Sequence, residues 1–302
     1  MRDEPARGAD AGITEAGLEA LARFLDRCSR LLVLTGAGCS TGSGIPAYRD
    51  GEGGWRHRRP MGFAEFVSSE AARRRYWAGS LRGWPRVRDA RPNGAHHALA
   101  RLEGRGRLAR IVTQNVDGLH QKAGSRRVLD LHGRLDTVEC LGCGARTGRE
   151  DVQALLLAWN PAFASSPAAA ALPDGDSTAE AQLGGFRVPD CRECGGVLKP
   201  WVVFFGENVP PSRVEQALSD LERADGLLVI GSSLMAHSGY RFVLAARARG
   251  LVVAAINLGR TRADEAIQVK VARECGETLS RLVEPLGPSG TGRTPPLVPA
   301  AP

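Results

Sequence analysis

The sequence predicts an α/β fold: a parallel sheet covered by helices on both faces, with a smaller lobe inserted beside it. Three observations carry that expectation. Short apolar runs recur at 31–35, 108–113, 127–131, 201–205, 226–230 and 251–256, without the clean alternation of a strand that has one face in water. Helix-like stretches at 93–103, 211–223 and 238–249 separate several of these runs, as the crossovers of a parallel sheet require. Two cysteine couplets, Cys140-Leu-Gly-Cys143 and Cys191-Arg-Glu-Cys194, then break the rhythm and mark the insertion.

In chain order, Leu18, Leu21, Phe24, Leu25 and Cys28 recur at helical spacing, so a helix precedes the first strand. Residues 61–90 hold Trp, Tyr, Arg and Phe in helical patterns with no strand among them, a helical insertion. Asn93 opens the helix at 93–103, where its side-chain oxygen can cap an orphan N–H. Pro211 opens the helix at 211–223, where a missing N–H costs nothing. Residues 133–200 carry the four paired cysteines and a stretch at 160–185 rich in Ala, Ser, Pro and Gly. The expected organisation is a discontinuous main domain at 14–60, 91–132 and 201–285, and a small lobe built from 61–90 and 133–200. Flexible tails rich in Gly, Ala and Pro are expected at 1–13 and 286–302.

Composition excludes several classes. Among 302 residues, 43% are hydrophobic and 24% charged, ordinary for a globular chain, and no segment approaches the ~20 apolar residues of a membrane span. The N-terminus carries Asp3, Glu4, Asp10, Glu15 and Glu19 without an apolar h-region, which argues against a secretory or transit peptide. Cys28, Cys39 and Cys275 remain once the couplets are set aside, an odd set that suits a reducing, cytoplasmic location. The net charge is +7, but the arginines are spread through the chain with few aromatics between them, which argues against nucleic acid as the main partner.

Two residues between sulfurs let one tight turn aim both at a single ion, and two such turns close a tetrahedral Zn²⁺ shell. Each couplet is followed by a glycine, Gly144 and Gly195. Cys140, Cys143, Cys191 and Cys194 are therefore read as the ligands of one structural zinc. With four sulfurs the ion keeps no open position, so the chemistry lies elsewhere.

Ligands of an open parallel sheet gather outside the carboxyl ends of its strands. The tails there are Thr35-Gly-Ala-Gly-Cys-Ser40, Thr113-Gln-Asn-Val-Asp117, Leu131-His-Gly133, Phe205-Gly-Glu207, Gly231-Ser-Ser233 and Asn257-Leu-Gly259, nearly all polar or Gly-rich where their strands are apolar. The first offers glycines whose N–H groups could approach a phosphate closely, although Thr41 stands where the ordinary dinucleotide fingerprint has its third glycine. Together the tails point to a nucleotide on a Rossmann-like sheet. Of the six histidines, His132 alone follows an apolar strand directly and precedes a glycine, which makes it the candidate general base.

The ordered motifs Gly36-Ala-Gly-Cys-Ser-Thr-Gly-Ser-Gly-Ile-Pro-Ala-Tyr-Arg49, Thr113-Gln-Asn-Val-Asp-Gly-Leu-His120, Leu131-His-Gly133, the cysteine pairs, Val202-Val-Phe-Phe-Gly-Glu207, Gly231-Ser-Ser-Leu234 and Asn257-Leu-Gly259 resemble the sirtuins over about 14–285. Arg75-Tyr-Trp77, Gly83-Trp-Pro85, Lys122-Ala-Gly-Ser-Arg-Arg127, Pro173-Asp-Gly-Asp176 and Ser238-Gly-Tyr-Arg-Phe242 look like the class II branch. The resemblance implies NAD-dependent removal of acyl groups from protein lysines, with transfer of the acyl group to ADP-ribose and release of nicotinamide. His132 would be the base, with Asn115 beside it in the catalytic step. Gly36, Ala37, Gly38, Ser40, Ile45 and Arg49 would take the pyrophosphate side, and Gln114, Asn115, Val116 and Asp117 the ribose and nicotinamide. Gly231, Ser232, Ser233, Asn257, Leu258, Gly259 and Cys275 would take the adenosine half. Phe204 and Phe205 would line the acyl-lysine tunnel, while Gly206, Glu207 and Leu234 clamp the substrate peptide.

The chain departs from the family pattern at Ala47 and Trp201, both usually Asp, and the Tyr-x-x-Arg pair that marks acidic acyl groups is absent, since Gly79 follows Tyr76 by three. Mono-ADP-ribosyl transfer or a lipoamidase-like activity on the same scaffold is the alternative. A hydride-transferring oxidoreductase and a non-catalytic zinc module are more distant ones.

Overall fold

The computed structural model describes residues 7–56, 59–164 and 183–286. The outer parts of both expected tails, Pro173-Asp-Gly-Asp176 and most of the stretch at 160–185 lie outside the described residues. Where a flexible tail was expected at 7–13, the first helix already begins, at Arg7.

The strands among the described residues are β1 (Leu31–Thr35), β2 (Leu108–Thr113), β3 (Val128–Asp130), β4 (Gly133–Cys140), β5 (Arg146–Gly148), β6 (Leu198–Val202), β7 (Gly226–Ile230), β8 (Val253–Ile256) and β9 (Val269–Val271). The helices are α1 (Arg7–Arg27), α2 (Phe63–Ser68), α3 (Glu70–Asp89), α4 (Gly94–Gly104), α5 (Leu119–Lys122), α6 (Arg149–Trp159), α7 (Pro161–Ala164), α8 (Pro211–Glu222), α9 (His237–Ala248) and α10 (Cys275–Val283). Six strands form one sheet in the order β3-β2-β1-β7-β8-β9, every neighbouring pair parallel.

The sheet is buried on both faces, and that explains the missing alternation. Leu31 and Val33 of β1 pack under α1, α4 and α10, while Leu32 and Leu34 pack under α8 and α9. Helix starts follow their sequence signals. The Asn93 side chain accepts from Ala95 N (2.9 Å) and His96 Nδ1 accepts from Asn93 N (3.2 Å), a reciprocal cap on α4. Pro211 occupies the first turn of α8.

The small lobe carries the antiparallel sheet β5-β4-β6, packed against α2, α3 and α6 through Phe66, Trp77, Leu135, Val138 and Leu156. Here the strand expected at 201–205 is corrected. The strand is Leu198–Val202 and pairs antiparallel with β4, outside the parallel sheet. Its Pro200 is tolerated because β6 is an edge strand. Strand β9 and helix α10, which the apolar pattern did not mark, complete the far edge of the large sheet and its cover.

Candidate active site

The strand order of the large sheet reverses between β1 and β7, and a crevice opens at that point beyond the strand ends. The loops after β1 and β7 are locked together by glycine. Gly36 N–H donates to Ile230 O (3.0 Å) and Gly38 N–H to Gly231 O (2.8 Å). A Cβ on Gly38 would lie 2.9 Å from Gly231 Cα, and one on Gly231, whose φ is +60°, would lie 2.1 Å from Cys39 N. The N–H groups of Gly36 and Gly38 donate to protein carbonyls, and the lack of a side chain at each lets the two loops pack together.

The tail of β2 is joined to the same loops by side chains. Asn115 Nδ2 donates to Gly36 O and Ser40 Oγ, both at 3.0 Å, and Ser40 Oγ donates to Asp117 Oδ2 (2.7 Å). Asp117 also accepts from Leu119 N (2.9 Å), and burial raises its carboxyl above the usual carboxylate range. Ser232 Oγ donates to Gln114 Oε1 (2.7 Å). Beyond β8, Asn257 Nδ2 donates to Gly259 O (2.9 Å), and Arg260 N to Gly51 O (2.8 Å), which brings the 45–56 loop against this turn. Cys275 is buried at the start of α10 with its thiol pushed up to about 12 by burial, so it remains protonated.

The 45–56 loop, which carries Ala47, is closed by its own residues. Arg49 Nη1 donates to Gly53 O (2.6 Å), Asp50 Oδ1 accepts from Gly54 N (2.8 Å), and the Arg49 guanidinium lies 4.1 Å from the Trp55 ring centroid. Trp55 and Tyr48 in turn meet Phe205 edge-on, at 5.4 and 5.8 Å between centroids.

His132 leads from β3 into β4, with its carbonyl accepting from Val203 N (2.8 Å). Gly133 follows at φ +81°, where a Cβ would fall 2.0 Å from Trp201 O, so no other residue fits. His132 Nδ1 lies 3.0 Å from Gln114 O and Nε2 lies 2.9 Å from Ser238 Oγ. A carbonyl only accepts, so Nδ1 carries the proton and Nε2 offers a lone pair. Burial pushes the pKa of this imidazole down to about 4, which keeps it neutral at neutral pH with the Nε2 lone pair unprotonated.

Phe204 sits at the base of the small lobe, 5.1 Å from Phe66 and 5.2 Å from Tyr76 between ring centroids. Glu207 turns inward, accepting from Phe204 N (2.8 Å) and pairing with Lys199 Nζ (3.3 Å), a lysine buried to 2% exposure. Leu234 holds φ +57°, the one non-glycine in the left-handed region among the described residues.

The strand-end tails border one cleft of about 600 Å³ between the large sheet and the small lobe. It is lined by Gly36, Ala37, Gly38, Ser40, Ile45, Arg49, Gln114, Asn115, Val116, Asp117 and His132 from the first half of the chain. From the second half come Phe204, Phe205, Gly206, Glu207, Gly231, Ser232, Ser233, Leu234, Asn257, Leu258, Gly259 and Cys275. Every candidate residue outside the cysteine couplets thus reaches the same space. Sequence reasoning missed Ser238, Trp55 and Arg241, which also line it. Arg241 Nε is buried there with no hydrogen-bond partner among the described residues, a donor left for a polar ligand. Ser238 and Arg241 stood in a noted string, Ser238-Gly-Tyr-Arg-Phe242, but a helix start gives no sign of which side chains face a cleft.

The cysteine couplets meet at the far end of the small lobe. Cys140 and Cys194 sulfurs are 3.5 Å apart and those of Cys143 and Cys191 3.7 Å. Tetrahedral Zn–S bonds of about 2.3 Å place sulfurs about 3.8 Å apart, so the donor set suits a structural zinc. Gly144 (φ +73°) and Gly195 (φ +69°), the glycines that follow the two couplets, close their turns in the left-handed region. A second group, Cys39, His96 and His120, is fully buried below the first loop. There His96 Nδ1 accepts from Asn93 N, so its proton sits on Nε2, facing the group. That tautomer does not suit a metal ligand.

A doubly covered parallel sheet with a polar cleft at its switch point, beside a cysteine-held lobe, defines a nucleotide-dependent enzyme scaffold of the zinc-carrying kind. The Sir2 family profile matches residues 36–238, and the chain belongs to that family. A Xanthomonas campestris pv. campestris (strain 8004) protein named NAD-dependent protein deacetylase is 55% identical over 280 residues, covering 92% of this chain and 95% of that protein. The Drosophila melanogaster protein named NAD-dependent protein deacylase Sirt4 is 45% identical over 276 residues, covering 90% of this chain and 88% of that protein. A solved structure described as Sir2-p53 peptide-NAD+ superposes with a TM-score of 0.71 at 29% identity, over 88% of this chain and 97% of that one.

Proposed function

We infer that this protein is an NAD-dependent protein-lysine deacylase of the deacetylase type. The observation that carries the reading is His132: a neutral imidazole with a free-electron-pair nitrogen on the cleft wall, beside the tails of β1, β2 and β7. Bound NAD⁺ would supply an electrophilic ribose carbon with nicotinamide as leaving group. The cleft suits such a cofactor in size, in its position at the switch point and in the unpartnered Arg241 Nε.

In this reading His132 Nε2 takes a proton from a hydroxyl presented in the cleft, a role worth about 10²–10⁴-fold. Asn115, Gln114 and Asp117 orient the groups beside it, held by Ser40, Gly36 and Ser232. Phe204 and Tyr76 keep water from the acyl group. The main chain at Gly206, Glu207 and Leu234 takes the substrate peptide as an added strand. The large parallel-sheet domain binds the cofactor, and the small lobe positions the acyl channel. Membership of the class II branch is supported by the Arg75-Tyr-Trp77 and Ser238–Phe242 strings and by the resemblance to the Drosophila protein. A cytoplasmic location is supported by the buried, unpaired Cys28, Cys39 and Cys275.

The test is incubation with NAD⁺ and a panel of acyl-lysine peptides, reading nicotinamide release and product masses together. Acyl-ADP-ribose formed in step with nicotinamide supports the reading. ADP-ribose attached to protein, with the acyl-lysine intact, would assign transferase activity instead.

A further inference from the structure

His132 is held at both ring nitrogens. Gln114 O takes the Nδ1 proton at 3.0 Å, so Nε2 has no hydrogen of its own and Ser238 Oγ, 2.9 Å away, is the donor to it. One hydrogen bond leaves an imidazole free to pivot about that contact, whereas two fix its plane. Ser238 lies in the first turn of α9, and that turn is seated on the residue holding the other nitrogen. A Cβ on Gly239 would fall 2.7 Å from Gln114 Nε2. The start of α9, Gln114 and His132 therefore move as one unit.

We propose that Ser238 is a positioning residue for His132, holding Nε2 on the reaction line until an incoming hydroxyl takes its place. This rests on the reading of His132 as the base. The lone pair that Ser238 occupies is the one a base must use, so its hydroxyl has to let go. Rotation about its Cα–Cβ bond turns the hydroxyl away from Nε2 and frees that lone pair. Ser238 keeps its own proton throughout. The proton gained by Nε2 comes from the incoming hydroxyl. Misplacing a reacting group by about 1 Å can cost about 10²-fold, so a ring pinned on one side only should react more slowly without binding less.

Ser238→Ala and Ser238→Thr, assayed with NAD⁺ and an acetyl-lysine peptide, test this. Ser238→Ala is expected to lower kcat about tenfold, with KM for both substrates within about twofold of the parent and melting unchanged. Ser238→Thr, which keeps the hydroxyl, is expected to recover kcat to within about threefold. A parental kcat in Ser238→Ala overturns the proposal. So does a raised KM at unchanged kcat, which would make Ser238 a ligand contact, or a Ser238→Thr enzyme as slow as Ser238→Ala. His132→Ala separates the two levels. If it is inactive while Ser238→Ala runs at full rate, only the positioning role falls; if it turns over at the parental rate, the base assignment itself falls.

Discussion

At the scale of single residues, the two ring nitrogens of His132 set what a mutation or a change of pH does. His132→Ala should reduce acyl transfer by about 10²–10⁴-fold while zinc content and melting stay at parental values, checked by turnover, metal analysis and calorimetry. Because burial lowers its pKa from the ordinary value near 6.5 to about 4, the imidazole is already neutral at pH 6. The kcat/KM profile should then stay level from pH 8 to pH 6, and an acid limb centred near 6.5 would contradict the lowering of the pKa by burial. Gly231→Ala belongs to the same scale. Its Cβ would strike Cys39 N at 2.1 Å from a left-handed backbone, so a loss of at least about 3 kcal/mol is expected in denaturant unfolding. The glycine motif could be found in the sequence, but not its purpose. That Gly38 meets Gly231 depends on β1 and β7 being neighbours, which no local pattern states.

Among the elements, the small lobe shows best where reading a chain succeeds and where it stops. The C-x-x-C spacing and the glycine after each pair identified the ligand turns, because that geometry is local. The strands carrying them were not legible. Residues 201–205 look like a buried strand, yet the strand begins at Leu198 and includes Lys199 and Pro200, two residues that argue against one. Lys199 is tolerated only because Glu207 and Glu139 lie 3.3 and 3.8 Å from its Nζ, and its Nζ donates to Val202 O at 2.6 Å. Glu139 lies sixty residues away in sequence, and that Glu207 folds back onto the lysine is not written in the local pattern. Cys140→Ser should lose the zinc and lower the melting temperature of the lobe. Full metal stoichiometry with unchanged melting would contradict a structural role.

For the whole molecule, acid sensitivity follows from three neutral histidines. Burial lowers His96 and His132 to about 4, and His120 well below its ordinary value. Between pH 6.5 and 4 the unfolded chain therefore binds protons that the folded chain refuses, so stability falls as pH falls through that window. His96 and His132 each contribute on the order of 3 kcal/mol to this loss once the window is crossed. Asp117 and Asp130, whose carboxyls burial raises, act in the opposite sense over its lower part. Melting followed from pH 7.5 to 4.5 should show a steep decline, and a flat curve would contradict the burial of these rings. The convergence of distant tails on one cleft could be read in advance, since each followed an apolar run. The strand order could not, because β9 is three residues with a lysine at its centre. One strand, β4, joins the two ends of the small lobe: it begins next to His132 and ends on the first zinc-ready cysteine. In the proposed function it is a beam moored by metal at one end and carrying the proton acceptor at the other. Soft electrophiles or oxidants that strip the mooring would silence turnover from outside, without touching anything in the catalytic chamber.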